Sequence, residues 1–438
     1  MMALKALILG GARSGFAAAK LACTKGYEVV LMDESEITHP SFIHEHLTIM
    51  DKGFDESVLS MDFDVIVKNP GIPYTHPFVK ALERKQLIYN EIEFAAFFAP
   101  QYTICAITGT NGKTTTTEAL GHLFKELTPY GVSAGNNGLP LSQVVVDHPH
   151  DPMMVACEIA AFQLLDTHTF KPKVATILNL TPDHLDVFES LEKYYQAKWR
   201  IVNNLDAHDT FILNIDDENI MQSKPSSFKC KVLTLSLTKD ADIMVMGNKI
   251  LMHSRVIFSK DDVSIVGDHN LFNIMVAVTM AIEVGIEPMR ISKALRSFQG
   301  VAHRIEYVET IKGVKVYNDS KATNVEATMI ALAAFKQPIH LIAGGYDKHL
   351  PFEPLLQQAH NIQSLVVFGQ TKHLLKALFP QAIVVETMKE ALMVSLKNAK
   401  KGEIVCLSPA CASYDQFKNF EDRGDQFKAL VRSLSDLE

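Results

Sequence analysis

The strongest constraint on the fold is a glycine-rich segment between an apolar strand pattern and a helix pattern. The strand is predicted at Tyr102–Ile107, and the segment Gly109–Thr114 reads GTNGKT. Glycines let backbone N–H groups curl around phosphate oxygens, and the N-terminus of the following helix adds partial positive charge. Lys113 can neutralise phosphate and Thr114 can bind Mg²⁺. The segment therefore predicts a phosphate-binding loop in an α/β fold.

The spacing of this loop departs from the common G-x-x-x-x-G-K-[ST] pattern. Ile107 stands where that pattern has its first glycine. A chance glycine-rich turn is the alternative interpretation. The Gly-Lys-Thr core and the flanking strand and helix favour the phosphate loop.

Strand and helix patterns alternate along the whole chain, which predicts parallel α/β sheets. A chain of 438 residues is too long for one core. We expect three domains: a Rossmann-like domain at 1–93, a central P-loop ATPase-like domain with a mainly parallel sheet at 94–299, and a C-terminal Rossmann-like α/β domain at 300–438.

Composition excludes several classes of protein. The net charge is −8, from 42 basic and 50 acidic residues, and no long basic run is present, which argues against nucleic-acid binding.

The six cysteines form no CxxC pair, so reduced thiols are expected. Gly10 and Gly11 interrupt the N-terminal apolar run, which is then a strand and not a signal peptide. No apolar run is long enough to span a membrane, and we expect a cytoplasmic protein without membrane insertion.

A second glycine-rich turn, Gly10–Gly15, follows the first predicted strand. It resembles a dinucleotide fingerprint but has Ala12 where G-x-G-x-x-G requires glycine. Asp33 ends the next strand, near the position of a ribose-binding acid. From the residues alone, NAD, another nucleotide and a simple tight turn all remain open.

Further polar residues follow strands in the same sheet as the phosphate loop. Glu158 and His184 each come after a predicted strand, where α/β sheets place ligands, and together they can hold Mg²⁺. Taken singly, each has the alternative interpretation of a loop residue with a structural hydrogen bond, and for His184 alone that interpretation is favoured. Lys198 lies in a predicted helix, and a solvated surface lysine is its simplest interpretation.

Three polar loops follow three predicted strands of the third domain. They are Asn318–Asn324, Gly344–Lys348 and Ser408–Lys418. Loops at the same ends of neighbouring strands form the rim of a ligand cleft.

With these motifs the chain resembles the Mur ligases from end to end. Gly-Thr-Asn-Gly-Lys-Thr is that family's form of the phosphate loop, and His269-Asn270 with Asn273, His303-Arg304 and Asp319–Asn324 are family motifs. The Ser408–Phe420 segment resembles the members that add D-glutamate, and the Asp-Asn-Pro-Arg motif of the members that add a diamino acid is absent.

The resemblance implies roles for particular residues. The catalytic residues would be Lys113, Glu158, His184 and Lys198, with Lys198 carbamylated. ATP would be bound by Gly109, Thr110, Asn111, Gly112, Lys113, Thr114, Thr115, Asn273, Arg304 and Asp319. Two Mg²⁺ ions would be held by Thr114, Glu158, His184 and Lys198. The UDP-linked substrate would contact Gly11, Arg13, Ser14, Asp33, Gly71 and Asn136. D-Glutamate would be surrounded by Lys321, Thr323, Lys348, Ser413, Tyr414 and Phe420. Ala160 and Ala161 stand where the family often has serines, so no hydroxyl role is expected there.

The implied activity is ATP-dependent formation of an amide bond between UDP-N-acetylmuramoyl-L-alanine and D-glutamate, by a monomer, in peptidoglycan precursor synthesis. A ligase similar to folylpolyglutamate synthetase shares the loop and chemistry but leaves the N-terminal nucleotide-binding domain unexplained. An NAD-binding Rossmann protein built on Gly10–Gly15 leaves the Gly109–Thr114 loop unexplained. ATP turnover that depends on an amino acid, without NAD binding, separates these alternatives.

Overall fold

The computed structural model describes residues 4–37, 40–136, 138–182, 188–348 and 351–435. The chain forms two compact units. One comprises Met1–Asp262 and Phe272–Leu295, and the other comprises Val263–Leu271 and Arg296–Glu438. The first unit contains two sheets and the second unit contains one. This is the α/β architecture with mostly parallel sheets that the sequence predicts.

The first sheet is formed by the N-terminal part of the first unit. Its elements are β1 (Lys5–Leu9), α1 (Arg13–Thr24), β2 (Glu28–Met32), β3 (Leu47–Met50), β4 (Val65–Lys68), α2 (Pro77–Glu83), β5 (Ile88–Tyr89) and α3 (Glu91–Phe97). The strand order is β3-β2-β1-β4-β5, and all pairs are parallel. The order reverses at β1, so the carboxyl ends of β1 and β4 flank a switch point where such sheets bind ligands.

The second sheet belongs to the central part of the chain. The elements are β6 (Thr103–Thr108), α4 (Lys113–Leu127), β7 (Gly131–Gly135), α5 (Leu141–Asp147), β8 (Met154–Glu158), α6 (Ala161–Leu164), β9 (Val174–Ile177), α7 (Leu191–Trp199), β10 (Thr210–Asn214), α8 (Glu218–Ser223), β11 (Lys231–Ser236), β12 (Ile243–Met246), β13 (Lys249–Met252), β14 (Arg255–Ser259), α9 (Asp268–Glu283) and α10 (Pro288–Ser297). The order is β14-β13-β12-β11-β10-β9-β6-β8-β7. The β12–β13 and β13–β14 pairs are antiparallel, and the other pairs are parallel.

The third sheet lies in the second unit. Its elements are β15 (Glu306–Ile311), β16 (Val314–Asn318), α11 (Val325–Ala334), β17 (Ile339–Gly344), β18 (Ile362–Phe368), α12 (Lys372–Leu378), β19 (Ile383–Val384), α13 (Met388–Asn398), β20 (Ile404–Leu407) and α14 (Phe420–Ser435). The order is β15-β16-β20-β17-β18-β19, and only the β15–β16 pair is antiparallel. The strand β20 is last in sequence but lies between β16 and β17, so the loops after these three strands are neighbours.

One apolar core runs through both sheets of the first unit. It includes Leu21 and Ala22 of α1 together with Val144 and Val145 of α5, all of them buried. Helix α1 packs on α5 as well as on α3. The first two sheets therefore share a packed seam.

Buried carboxylates of α3 lie in this seam. The Glu93 carboxylate accepts hydrogen bonds from the backbone N–H groups of His168, Thr169 and Phe170, at 2.7 to 3.1 Å. Glu91 is 2% exposed and accepts one bond, from the Ser142 N–H at 2.5 Å. Burial raises the pKa of the Glu91 carboxyl from 4.5 to about 7, against the lowering effect of that bond.

We expect the stability of the first unit to fall as the pH rises from about 4.5 to about 7 through Glu91. In this window the folded protein holds a proton that the unfolded chain has lost, so the free energy of unfolding decreases with pH. Glu91→Gln keeps an acceptor for the Ser142 N–H without the ionisation. The variant should match the original protein at pH 5 and be more stable by about 3 kcal/mol at pH 8. Denaturant unfolding at both pH values measures this.

The exposed Glu126 on α4 offers a matched control, because Glu126→Gln removes an acid that is not buried. An equal effect of Glu91→Gln at pH 5 and pH 8 would contradict the assignment.

In the described ranges, no helix combines the length and apolar character that a bilayer crossing requires. All six cysteines are free thiols, and only Cys230 is not fully buried. The free thiols agree with the reduced cysteines expected from the sequence.

Candidate active site

Glycines at the carboxyl end of β1 allow α1 to start against the strand. Gly10 has φ +99°, and a Cβ there would lie 2.6 Å from the Asn69 Cβ. A Cβ on Gly15 would lie 1.7 Å from the Gly10 carbonyl oxygen, so only glycine fits this approach. The Asn69 amide donates to the Ser14 Oγ at 2.9 Å and accepts from the Gly71 N–H at 3.0 Å. The structure thus brings Ser14 and Gly71, both predicted nucleotide contacts, to the switch point of the first sheet.

Asp33 orders the same loop. Its carboxylate accepts from the Gly11 N–H at 2.6 Å and from the Ser35 N–H at 2.8 Å. The guanidinium of Arg13 donates to the Gly138 carbonyl at 2.9 Å, in the loop that follows β7. Asn136 lies in that loop as well. The predicted nucleotide contacts therefore come from both sheets of the first unit and converge across their seam.

The phosphate loop has the shape expected for anion binding. Gly109 and Gly112 have φ values of +151° and +84°. Helix α4 begins at Lys113, and its N-cap residue Gly112 has no side chain with which to cap the first turn. The first N–H groups of an α-helix have no partner within the helix, so those of Lys113, Thr114 and Thr115 point towards the loop. A Cβ on Gly112 would lie 2.5 Å from the Asn273 Oδ1, which places Asn273 against the loop.

Two lysines converge on one carbonyl of the loop. The Lys113 Nζ donates to the carbonyl oxygens of Gly109 and Thr110, each at 2.8 Å. The Lys198 Nζ donates to the same Gly109 oxygen at 2.9 Å and lies 4.5 Å from the centroid of the Tyr194 ring. Lys198 is 1% exposed, so the surface-lysine interpretation is wrong. Helix α7 delivers this side chain to the phosphate loop.

Asn179, which sequence reasoning did not single out, holds the loop from the neighbouring strand β9. Its Oδ1 accepts from the Asn111 N–H at 2.8 Å, and its Nδ2 donates to the Asn111 carbonyl at 3.0 Å. The Asn179 carbonyl accepts from the Thr110 N–H at 3.1 Å. The sequence signal that could have identified Asn179 is its position directly after an apolar strand pattern.

Glu158 ends β8, beside the phosphate-loop strand. Its Oε1 accepts from the Asn136 Nδ2 at 3.0 Å. Its Oε2 is buried and has no hydrogen-bond partner among the described residues. A buried carboxylate oxygen left open is suited to a hard cation. His184, predicted to act with Glu158, lies outside the described residues, and within them no three His, Cys, Asp or Glu side chains form a metal-binding group.

The second unit has its own polar centre, at the ends of β16 and β20. Asp319 accepts from the Ser408 Oγ at 2.7 Å and from the Ile305 N–H at 3.1 Å. Burial raises the pKa of the Asp319 carboxyl to about 7, and the charges of Arg304 and Arg423 act in the opposite direction. Asp319 thus bonds the residue that follows Arg304, so these two predicted ATP contacts lie in neighbouring segments of the chain.

Arg423 connects two of the three predicted loops, and sequence reasoning missed it. It is fully buried and donates to the Ser320 Oγ at 2.9 Å and the Ser320 carbonyl at 2.8 Å. It also donates to the carbonyl oxygens of Cys411 at 3.1 Å and Ala412 at 3.2 Å. A lone arginine in a C-terminal helix carries no motif, so the sequence gave no signal for this role.

The residues predicted to surround D-glutamate lie on these loops. The Lys321 Nζ is 5.4 Å from the centroid of the Phe420 ring. Ser413 is 2% exposed and is followed in sequence by the exposed Tyr414. The Tyr414 ring meets the Tyr346 ring edge-on, with centroids 6.1 Å apart. Thr323 is half-buried and Lys348 is exposed. Cationic and hydroxyl side chains are therefore available at one end of the sheet.

Comparison with family models gives two matches. Residues 107–281 match the Mur ligase middle domain, and residues 303–411 match the Mur ligase glutamate ligase domain. Among individual proteins, the chain is 37% identical over 440 residues to UDP-N-acetylmuramoylalanine--D-glutamate ligases from Bacillus thuringiensis (strain Al Hakam) and Bacillus cereus (strain AH820). Each alignment covers 98% of this chain and 97% of the relative.

Solved structures show the same fold. A UDP-N-acetylmuramate-alanine ligase from Thermotoga maritima matches with a TM-score of 0.58 and 18% identity, over 98% of this chain and 99% of that one. A MurF from Acinetobacter baumannii matches with a TM-score of 0.58 and 16% identity, over 99% and 92%.

Proposed function

This chain belongs to the Mur ligase family, and we propose that it joins the alanyl carboxylate of UDP-N-acetylmuramoyl-L-alanine to the amine of D-glutamate with cleavage of ATP. The observation that carries the proposal is the phosphate loop with two lysines on the Gly109 carbonyl, in a chain 37% identical end to end to ligases of that name. The division into three domains, one for each sheet, is part of the proposal.

The chemistry requires an activated carboxylate. The alanyl carboxylate attacks the γ-phosphorus of ATP, ADP leaves, and an acyl phosphate forms. The amine of D-glutamate attacks the acyl carbon, a proton is lost from nitrogen, and inorganic phosphate leaves. Two anions must meet in the first step, so Lys113 and the N–H groups of the loop neutralise charge there. The loops of the first sheet and of the second unit hold the two acceptor substrates for these steps.

Mg²⁺ fits the residues at the ATP end of this site. The open Oε2 of Glu158 and the Thr114 hydroxyl are oxygen ligands of the kind Mg²⁺ prefers, and a carbamate on Lys198 would add another. We assign two ions to these residues together with His184. When bound, Mg²⁺ would offset the negative charge of the phosphates.

We expect D-glutamate to be the preferred amino acid by about a hundredfold or more in kcat/KM over L-glutamate, lysine and diaminopimelate. Lys321 and Lys348 can pair with two carboxylates, whereas lysine would bring an ammonium towards them. Phosphate release from ATP, measured with the muramoyl-alanine nucleotide and a panel of amino acids, tests both the activity and the preference. A best rate with lysine or diaminopimelate would refute the substrate assignment and leave the family membership unaffected.

The same assay addresses the remaining alternatives. A ligase similar to folylpolyglutamate synthetase would release phosphate with a folate and glutamate and would not require the UDP-linked nucleotide. An NAD-binding protein would bind NAD and hydrolyse no ATP. We also expect a monomer in the cytoplasm, which size-exclusion chromatography with light scattering and cell fractionation measure.

A further inference from the structure

The seam between the first and second sheets contains a buried lysine that the activity described above does not use. Lys68, the last residue of β4, is 1% exposed. Its Nζ donates to the Ile72 carbonyl at 3.1 Å, lies 3.5 Å from the Asp166 Oδ2 and lies 4.1 Å from the centroid of the Tyr74 ring. A carbonyl, a carboxylate and an aromatic face thus surround one ammonium.

Burying the Lys68 ammonium here costs free energy, because the charge loses its contact with water. Burial lowers the pKa of Lys68, while the charges of Asp166 and Glu83 raise it. An apolar side chain of the same length would fill this space without desolvation of a charge. Packing alone therefore does not account for the lysine, and its contacts show what the ammonium holds in place.

One contact holds the turn that follows β4. The Ile72 N–H donates to the Asn69 carbonyl at 3.1 Å, and the Gly71 N–H donates to the Asn69 Oδ1 at 3.0 Å. The Asn69 Nδ2 then reaches the Ser14 Oγ in the first turn of α1. By fixing the Ile72 carbonyl, Lys68 fixes a turn that joins both sides of the nucleotide switch point.

The other contact ties the ammonium to the central part of the first unit. Asp166 is 4% exposed and lies between two residues whose carbonyls Arg200 holds, Leu164 at 2.7 Å and Thr167 at 2.8 Å. The Asp166 carbonyl accepts from the Asn90 N–H at 3.3 Å. The carboxylate is therefore a rigid anchor on the far side of the seam.

We propose that Lys68 is a positioning residue for the nucleotide part of the substrate, which acts by anchoring the Asn69–Ile72 turn to Asp166. The inference rests on the proposed function, because the turn matters only if the switch point of the first sheet binds the UDP-linked substrate. Loss of the ammonium releases the turn and weakens nucleotide binding. The phosphate loop is not touched, so ATP binding and the chemical step are preserved at saturating nucleotide.

The test uses Lys68→Ala with steady-state kinetics for each substrate. We expect KM for UDP-N-acetylmuramoyl-L-alanine to rise about tenfold to a hundredfold, the range for loss of a hydrogen bond from a charged group. The kcat and the KM for ATP should change by less than about twofold. Lys80→Ala, at an exposed lysine of α2, is the matched control and should change none of these parameters.

Chemical rescue distinguishes positioning from general damage. The alanine variant lacks three methylenes and the ammonium, which propylammonium supplies. A cavity of about 370 Å³ is lined in part by Tyr74 and Asp166, two of the groups that contact Lys68, so removal of the lysine side chain should leave space for the amine beside it. Propylammonium should restore the nucleotide KM of Lys68→Ala and leave Lys80→Ala unchanged. An unchanged nucleotide KM in Lys68→Ala, or a uniform loss in all parameters that the amine does not relieve, would overturn the inference.

A doubly substituted protein covers the case in which Lys68→Ala does not fold. Lys68→Met with Asp166→Leu removes both charges together and leaves no buried charge unpaired. If this folded variant has a raised nucleotide KM, the inference is supported, and if its KM is normal, the inference fails. Calorimetric measurement of nucleotide binding to the original protein separates a failure of the proposed function from a failure of the role assigned to Lys68. Absence of any binding there refutes the proposed function, whereas normal binding with an unaffected variant refutes only the role of Lys68.

Discussion

Replacing Lys113 with alanine is expected to lower ATP-dependent ligation by about a hundredfold to a thousandfold or more, while the protein remains folded. The lysine begins α4 and is only half-buried, and its Nζ bonds two carbonyls of its own loop. In the reaction the ammonium is needed where the carboxylate and the γ-phosphate approach each other. The lost interaction belongs to the transition state, so the decrease should appear in kcat as well as in kcat/KM.

The measurement is phosphate release under saturating substrates, with thermal unfolding of the same preparations. Lys125→Ala is the matched control, since Lys125 is exposed in the last turn of the same helix. It should leave both rate and unfolding temperature near the original values. A folded Lys113→Ala protein with near-normal turnover would refute the phosphate-loop assignment.

Lys198→Arg is expected to reduce the rate by about a hundredfold or more, although the positive charge is kept. Lys113 and Lys198 both place an ammonium on the Gly109 oxygen, so two like charges meet at a place where Mg²⁺ is also expected. A carbamate on Lys198 would reverse one of these signs and offer oxygens to the metal. A guanidinium cannot be carbamylated, and because Lys198 is 1% exposed, the larger head group of arginine would have to displace buried neighbours.

Carbon-13 NMR of the protein in labelled bicarbonate should show a carbamate signal that disappears in Lys198→Arg. Lys198→Glu restores an anion with a shorter reach and should retain a small part of the activity. Lys193→Arg, at an exposed lysine of the same helix, is the matched control and should be silent. Absence of a carbamate signal in the original protein, together with a fully active Lys198→Arg enzyme, would exclude the modification.

The sequence located those strands whose apolar runs end in a polar or glycine-rich loop. The strand predicted at Tyr102–Ile107 corresponds to β6, Thr103–Thr108, with each end shifted by one residue. Such runs are buried on both faces, so their composition is distinctive. The strands β12 to β14, at one end of the second sheet, were not predicted, because they are short, mix buried and exposed positions, and are joined by antiparallel pairs without a crossover helix to mark them.

The sequence predicted those site residues whose types and spacing are characteristic of one kind of chemistry. The Gly109–Thr114 loop is such a case, because glycine, lysine and threonine at that spacing have few other uses. Residues that act by holding a carbonyl could not be found in this way. Lys68 and Arg423 donate to main-chain oxygens whose positions are determined by the fold and not by nearby sequence. The burial of Lys198 was equally hidden, because it depends on where α7 packs.

The connection made by Arg423 also bears on the order in which the second unit acquires its structure. The bond from Arg423 to Ser320 joins residues 103 positions apart, whereas β17 and β18 pair within a short stretch of chain. Closing a long segment costs more chain entropy before any contact compensates for it. The β17–β18 pair can thus form while the two loops are still unrestrained, and we expect the loops to reach their final geometry only when α14 docks. In refolding, we therefore expect the β17–β18 pair to return before the loops that we propose for amino-acid binding.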